Sequence, residues 1–168
     1  MKKVKAKSAE NSVEALINDL ASKNGQTRES ARSSLVAMGK PAIAFLLPLL
    51  KERKHKIRWE AVKALGEIAD PAAIDGLLQA LTDEEFDVRW LAAEGLVAMG
   101  SQAVEPLLWE LTRMQEKTAV LLRDGAHHIL HALGELGENL KSVLTALEDI
   151  DFVVKVPPAA RYALKTLE

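Results

Sequence analysis

One pattern recurs five times in this chain and leaves little freedom in what it can fold into. It is clearest as Arg58-Trp-Glu-Ala-Val-Lys-Ala-Leu-Gly66 and again as Arg89-Trp-Leu-Ala-Ala-Glu-Gly-Leu96. Anchored on its small residue, the register runs Ala31, Ala61, Ala92, Ala126 and Ala160, with spacings of 30, 31, 34 and 34 residues. An apolar partner follows four positions later, at Leu35, Leu65, Leu96, Leu130 and Leu164. A second track precedes each copy: Leu16-Ile17-x-x-Leu20, Leu46-Leu47-x-x-Leu50, Leu77-Leu78-x-x-Leu81, Leu107-Leu108-x-x-Leu111 and Val143-Leu144-x-x-Leu147. Both tracks have the period of a helix with one apolar stripe. A fixed repeat of this length marks a stacked-repeat architecture, because one helix pair cannot bury both of its stripes alone.

Each unit therefore reads as two helices, giving an all-α, right-handed α-solenoid of about five pairs. Units of approximately 12–41, 42–72, 73–103, 104–138 and 139–168 make one domain behind a basic segment, 1–11, expected to be flexible. Apolar residues make up 48% of the chain but aromatics only 4%, which suits a core of Ala, Leu, Val and Ile between close helices. Stops are expected at Gly39, Gly100 and Gly134, where glycine tolerates a left-handed backbone. Starts are expected at Asp70-Pro71 and at Asn11-x-x-Glu14 and Thr82-x-x-Glu85, which have capping-box form. Between the helices of unit four lie extra residues, Thr112 to Leu122, so either that corner bulges or its second helix starts early. Unit five has Pro157 in place of the arginine, and Asp151 to Val156 reads as an extended, partly exposed segment. The chain is expected to be a monomer or a weak dimer, for which exposed Phe152 to Val156 gives a place to form. Arg161, Lys165 and Glu168 provide a polar outer face for a natural end of the array.

The organisation resembles the HEAT-repeat proteins, and among them the short-unit subgroup related to phycobilisome lyases. The resemblance rests on Ile57-Arg58-x-x-Ala61-x-x-x-Leu65, Val88-Arg89-x-x-Ala92-x-x-x-Leu96 and Asp70-Pro71-Ala-Ala-Ile74 with Leu77-Leu78. It is strongest in units two and three and says much about fold but little about activity. It implies that the second helices line a concave face whose variable positions choose the partner. Here those positions are Trp59, Glu60 and Lys63, then Trp90, Leu91 and Glu94, then Asp124, His128 and His131, with Glu29 and Ser33 at the start. Iron-binding hydroxylases built on the same repeats place a His-Glu dyad after the arginine. The equivalent places here read Trp59-Glu60, Trp90-Leu91 and Asp124-Gly125, which argues against that di-iron chemistry.

The recurring arginines Arg28, Arg58, Arg89 and Arg123 are expected to stitch corners through carboxylates or helix-end carbonyls. Trp59 and Trp90 occupy the same place in adjacent units, so their indoles are expected side by side. Either they form a binding hot spot or they fold into the groove as packing. His127 and His131 are four apart on one helix, a spacing that suits a metal, but two ligands do not make a site. The basic corner Lys51-Glu-Arg-Lys-His-Lys-Ile-Arg58 has an acidic counterpart one unit later, Thr82-Asp-Glu-Glu-Phe-Asp87, expected to face it.

The net charge of −2 gives no global pull toward nucleic acid, and the absence of cysteine removes thiolate chemistry. No apolar run is long enough for a membrane span and no secretory leader is evident, so a cytoplasmic location is expected. The leading expectation is a non-catalytic scaffold that binds a protein or peptide on the concave face, with no cofactor, no metal and no catalytic residues. Two alternatives stand beside it. One is a bilin lyase-type subunit holding a tetrapyrrole on the same face, the indoles stacking on its rings and the histidines acting as acid or base. The other is a nucleic-acid binder that uses corner 51–58.

Overall fold

The computed structural model of the chain describes residues 12–134 and 138–167. Among these are ten α-helices: α1 (12–20), α2 (Gly25–Met38), α3 (Lys40–Leu46), α4 (His55–Ile68), α5 (Ile74–Ala80), α6 (Phe86–Ala98), α7 (Val104–Thr112), α8 (Glu116–Ala132), α9 (Glu138–Glu148) and α10 (Phe152–Lys165). Short 3-10 turns extend α3 (Leu47–Lys51) and lead into α5 (Pro71–Ala73) and α7 (Gly100–Ala103). The second helices α2, α4, α6 and α8 stack in one layer, and α3, α5 and α7 back them in another. This is the solenoid of helix pairs that the repeat requires.

Local chemistry sets the boundaries. Asn24 caps α2 by accepting from the Gln26 N–H at 2.9 Å, and Asp70 does the same for Ala72 at 2.9 Å, ahead of Pro71. Gly39 and Gly100 turn the chain with φ of 66° and 62°. Gly134 is not among the positive-φ residues, whereas Ala69, which ends α4, is left-handed with φ 50° and ψ 37°. A left-handed non-glycine residue costs roughly 1–2 kcal/mol, so this stop is strained. Thr82 forms no capping box. Its hydroxyl donates to the Gln79 carbonyl, and Asp83 accepts from the Glu85 N–H instead. Asn11 lies outside the described residues, as does segment 1–11.

All five register alanines are buried, and Leu35, Leu65, Leu96 and Leu130 are fully so. The closest approach of α4 and α6, however, is made by two mid-helix glycines. A Cβ added to Gly95 would lie 2.9 Å from the Gly66 Cα, so backbone meets backbone there. At these two positions glycine is a packing residue and not a helix terminator.

The extra residues of unit four are taken up by an early start of α8, which has 17 residues against 14 in α4 and 13 in α6. The last pair departs further: α10 packs on α7, and α9 on α8. The pair is thus turned over relative to its predecessors, with its second helix in the first-helix layer. Asp151 to Val156 is not an extended exposed segment. It opens α10, where Phe152 and Val156 are buried and Val154 is 74% exposed. Phe152, Val156, Ala160 and Ala163 recur at helical spacing, and this apolar stripe outweighs Pro157 and Pro158 inside the helix.

Candidate functional site

The recurring arginines do hold the corners. Arg28 donates to the carbonyls of Ser22 (2.9 Å) and Lys23 (3.3 Å), Arg58 to Glu52 (2.9 Å) and Arg53 (3.4 Å), and Arg89 to Asp83 (2.7 Å) and Glu84 (3.0 Å). In each case the acceptors lie six and five residues back. Two of the three also reach the next unit. Arg28 bonds Glu60 at 3.0 Å, and Arg58 grips Asp83 with two bonds of 2.7 and 2.9 Å and Glu84 with one of 3.1 Å. The hydrogen bond to Asp83 holds the Arg58 guanidinium above its ordinary pKa in spite of burial. Arg123 cannot repeat the motif, because Lys117 and Thr118 already lie inside α8, where their carbonyls serve the helix. It reaches across to the Leu147 carbonyl at 2.7 Å and lies 4.7 Å over the Phe152 ring, fastening the turned-over pair.

The basic and acidic corners face each other. Besides Arg58, His55 Nε2 lies 3.2 Å from Asp87 Oδ2, so the acidic corner partly neutralises 51–58. The charge left for a nucleic-acid backbone is correspondingly small.

On the second-helix layer the two indoles do not lie together. Trp59 is half-buried and turns toward α2, with the Arg32 guanidinium 5.7 Å from its ring and Lys63 Nζ at 4.9 Å. Trp90 is 46% exposed and turns the other way, its ring 4.6 Å from that of His128 on α8. Phe86, one turn before Trp90, is 64% exposed and 6.3 Å from it, with the Arg89 guanidinium 5.7 Å from the Phe86 ring centre. His128 Nε2 is 2.6 Å from Glu94 Oε1, which fixes the imidazole against the indole. The result is an open row of three rings, Phe86, Trp90 and His128, across α6 and α8, with a carboxylate at one end. A depression of about 60 Å³ bordered by Asp124 and Gly125 runs beside it. A second depression, about 210 Å³, lies beside Trp59 with His55, Lys56 and Asp87.

The remaining expected residues fall differently. Glu60 is not a contact residue: it is 4% exposed and bonded to Arg28 and Arg32. Leu91 is half-buried against the core. Asp124 is exposed, and His131 stacks with His127 at 6.0 Å, while His127 Nε2 lies 3.1 Å from Glu148. Sequence reasoning missed four exposed aromatics, Phe45, Phe86, Trp109 and Tyr162. Phe86 is legible as the residue one helical turn ahead of Trp90. Trp109 interrupts an otherwise aliphatic first-helix track, and that interruption was its only signal. Among the described residues no helix is long and apolar enough to cross a membrane.

Residues 43–123 match the family described as HEAT repeats, a stretch that runs from α3 to the arginine of α8. The bilin biosynthesis protein RpcF of Synechococcus sp. (strain WH8020) is 38% identical over 85 residues, 50% of this chain and 41% of that protein. The chain thus spans well under half the length of that relative. A chain from the complex of CpcE and CpcF of phycocyanin lyase from Nostoc sp. PCC7120 superposes with a TM-score of 0.59 at 23% identity, covering 89% of this chain and 98% of that one. This second likeness establishes the fold. The expectation of a chain with no enzymatic role is corrected by these relatives, one a bilin biosynthesis protein and the other from a lyase. The chain is an α-solenoid whose residues 43–123 match HEAT repeats, similar over half its length to a bilin biosynthesis protein and in fold to a chain of a phycocyanin lyase complex.

Proposed function

We propose that this chain is a bilin lyase-type subunit that holds a linear tetrapyrrole on the layer of second helices and works with a protein partner. The observation that carries the reading is the open row Phe86, Trp90 and His128 with Glu94 behind the imidazole. A bilin is a flat, conjugated, carboxylate-bearing molecule with a run of pyrrole nitrogens. Exposed rings give it stacking surface. Arg89 over Phe86 and Lys63 over Trp59 are the cations placed to meet its carboxylates. His128, oriented by Glu94, is the group placed to give or take a proton at the edge of the stacked chromophore. Relatives named for bilin biosynthesis and for phycocyanin lyase support the substrate class and the need for a second subunit.

The test is titration of the purified protein with a free linear tetrapyrrole, following the visible band and tryptophan fluorescence. Binding should shift the band and quench emission, and Trp90→Ala should weaken it at least about tenfold, a loss of about 1.4 kcal/mol. His128→Gln should keep most of the affinity while altering the pH dependence of the bound spectrum. No spectral change with the wild type, alone and with its partner subunit, would overturn the reading.

A further inference from the structure

The other layer carries a surface that the bilin site does not use. Trp109, on α7, is 51% exposed and stands as a ridge between two grooves. The groove between α7 and α10 has a volume of about 320 Å³ and is walled by Trp109, Leu164 and Leu167, with Glu105, Arg161 and Lys165 at its rim. The groove between α5 and α7 has a volume of about 440 Å³ and holds Leu78, Pro106 and Trp109, with Asp75, Glu110 and Arg113 around it. The first groove exists only because the last pair is turned over, which lays α10 beside α7.

Charge along this strip is polarised. The α7–α10 groove has Arg161 and Lys165 on α10 against Glu105 on α7, a net positive charge, and the α5–α7 groove has Asp75 on α5 and Glu110 on α7 against Arg113, a net negative charge. Among the described residues Asp75, Glu105, Arg161 and Lys165 enter no ion pair, and Glu110 has only a long 4.0 Å contact with Arg113. An apolar ridge flanked by two grooves, basic at one edge and acidic at the other, is complementary to itself after a half-turn.

We propose that this strip is a two-fold interface between two copies of the chain. The half-turn lays α7 of one copy in the α7–α10 groove of the other, so that each Trp109 fills the partner copy's 320 Å³ groove. It simultaneously lays α10 of each copy in the α5–α7 groove of the other, bringing Arg161 and Lys165 over Asp75 and Glu110 of the partner copy. Ridges enter grooves on both sides, as helix packing requires. The same patch meets itself, as a closed two-fold dimer requires. Trp109 supplies the anchor by desolvation, and the charges fix the register. The proposal does not depend on the bilin reading, since it uses the opposite layer of helices.

Sedimentation of the full chain over rising concentration should show its mass doubling. Trp109→Ala should remain monomeric with unchanged helicity by circular dichroism. Two charge-reversed variants, Arg161→Glu with Lys165→Glu and Asp75→Lys with Glu110→Lys, should each be monomeric alone. Mixed in equal amounts they should dimerise, because the acidic α10 of the first then meets the basic α5–α7 groove of the second, while the second's unaltered basic α10 meets the first's unaltered acidic groove. A wild type that stays monomeric at every concentration overturns the proposal. So does a dimer that survives Trp109→Ala, or a mixture of the reversed variants that stays monomeric.

Discussion

Units two and three and the pair α9–α10 descend from one sequence pattern but solve different problems. In the middle of the array Arg58 sits over a corner whose carbonyls are free, because α4 begins only three residues before it, at His55. It closes its own unit and takes Asp83 and Glu84 from the next. Arg123 has the same place in the register, but α8 begins seven residues before it, at Glu116, so the corner carbonyls are already spent inside the helix. The guanidinium then finds its acceptor in α9, and the pair that it fastens lies the other way up. One added turn of helix thus separates an arginine that propagates the stack from one that ends its regularity.

The strongest way to break this comparison is to remove both arginines separately. Arg58→Ala leaves the nearly buried Asp83 carboxylate without its partner, and breaking such a pair should cost about 3 kcal/mol. Arg123→Ala removes one bond to a backbone carbonyl and a ring contact, so about 1 kcal/mol is expected, with α9 and α10 loosening before the rest. Urea unfolding, with hydrogen exchange resolved by helix, measures both. Equal losses would mean that the two arginines do the same work after all.

The stop of α4 gives a smaller effect of opposite sign. Ala69→Gly relieves a left-handed alanine and should stabilise the chain by about 1 kcal/mol in the same unfolding measurement.

The smallest effect lies at the corner of the turned-over pair. Lys155 donates to Asp149, and the Asp151 N–H donates to it as well, which together hold the Asp149 carboxyl below its ordinary value of 3.8. Because the folded state binds that proton less readily than the unfolded chain, the contribution is complete above pH 3.8 and is lost as pH falls below it. Asp149→Asn should flatten that acid limb for α9–α10 alone, as read by hydrogen exchange across the acid range.

The repeat, the alanine and leucine registers, the arginine corners and the facing of the two charged corners were legible because each is a local pattern or a fixed offset between units. The overturned pair was not. Periodicity identifies which stripe of α10 is apolar, and Ala160 is buried as its register demands, but it is silent on whether that stripe meets α7 or α8. The indole pair failed for a related reason. Trp59 and Trp90 do share a register position, yet side-chain rotation lets each choose a different neighbour, Arg32 for one and His128 for the other. Glu60 fell in the expected binding stripe because the pattern cannot register that Arg28 and Arg32, one unit earlier, converge on it. Trp109 falls at one of the unspecified positions of the first-helix track Leu107-Leu108-x-x-Leu111, where the repeat pattern sets no residue type.

A chain made of look-alike segments risks pairing with the wrong neighbour while it folds. The corner 51–58 meets 82–87 as cation against anion, through Arg58 with Asp83 and His55 with Asp87. A slip that set corner 51–58 against any corner but 82–87 would lose this match of cation and anion, even where the alanine and leucine registers still fitted. The charged corners therefore act as labels that let otherwise interchangeable segments recognise their proper sequence of assembly.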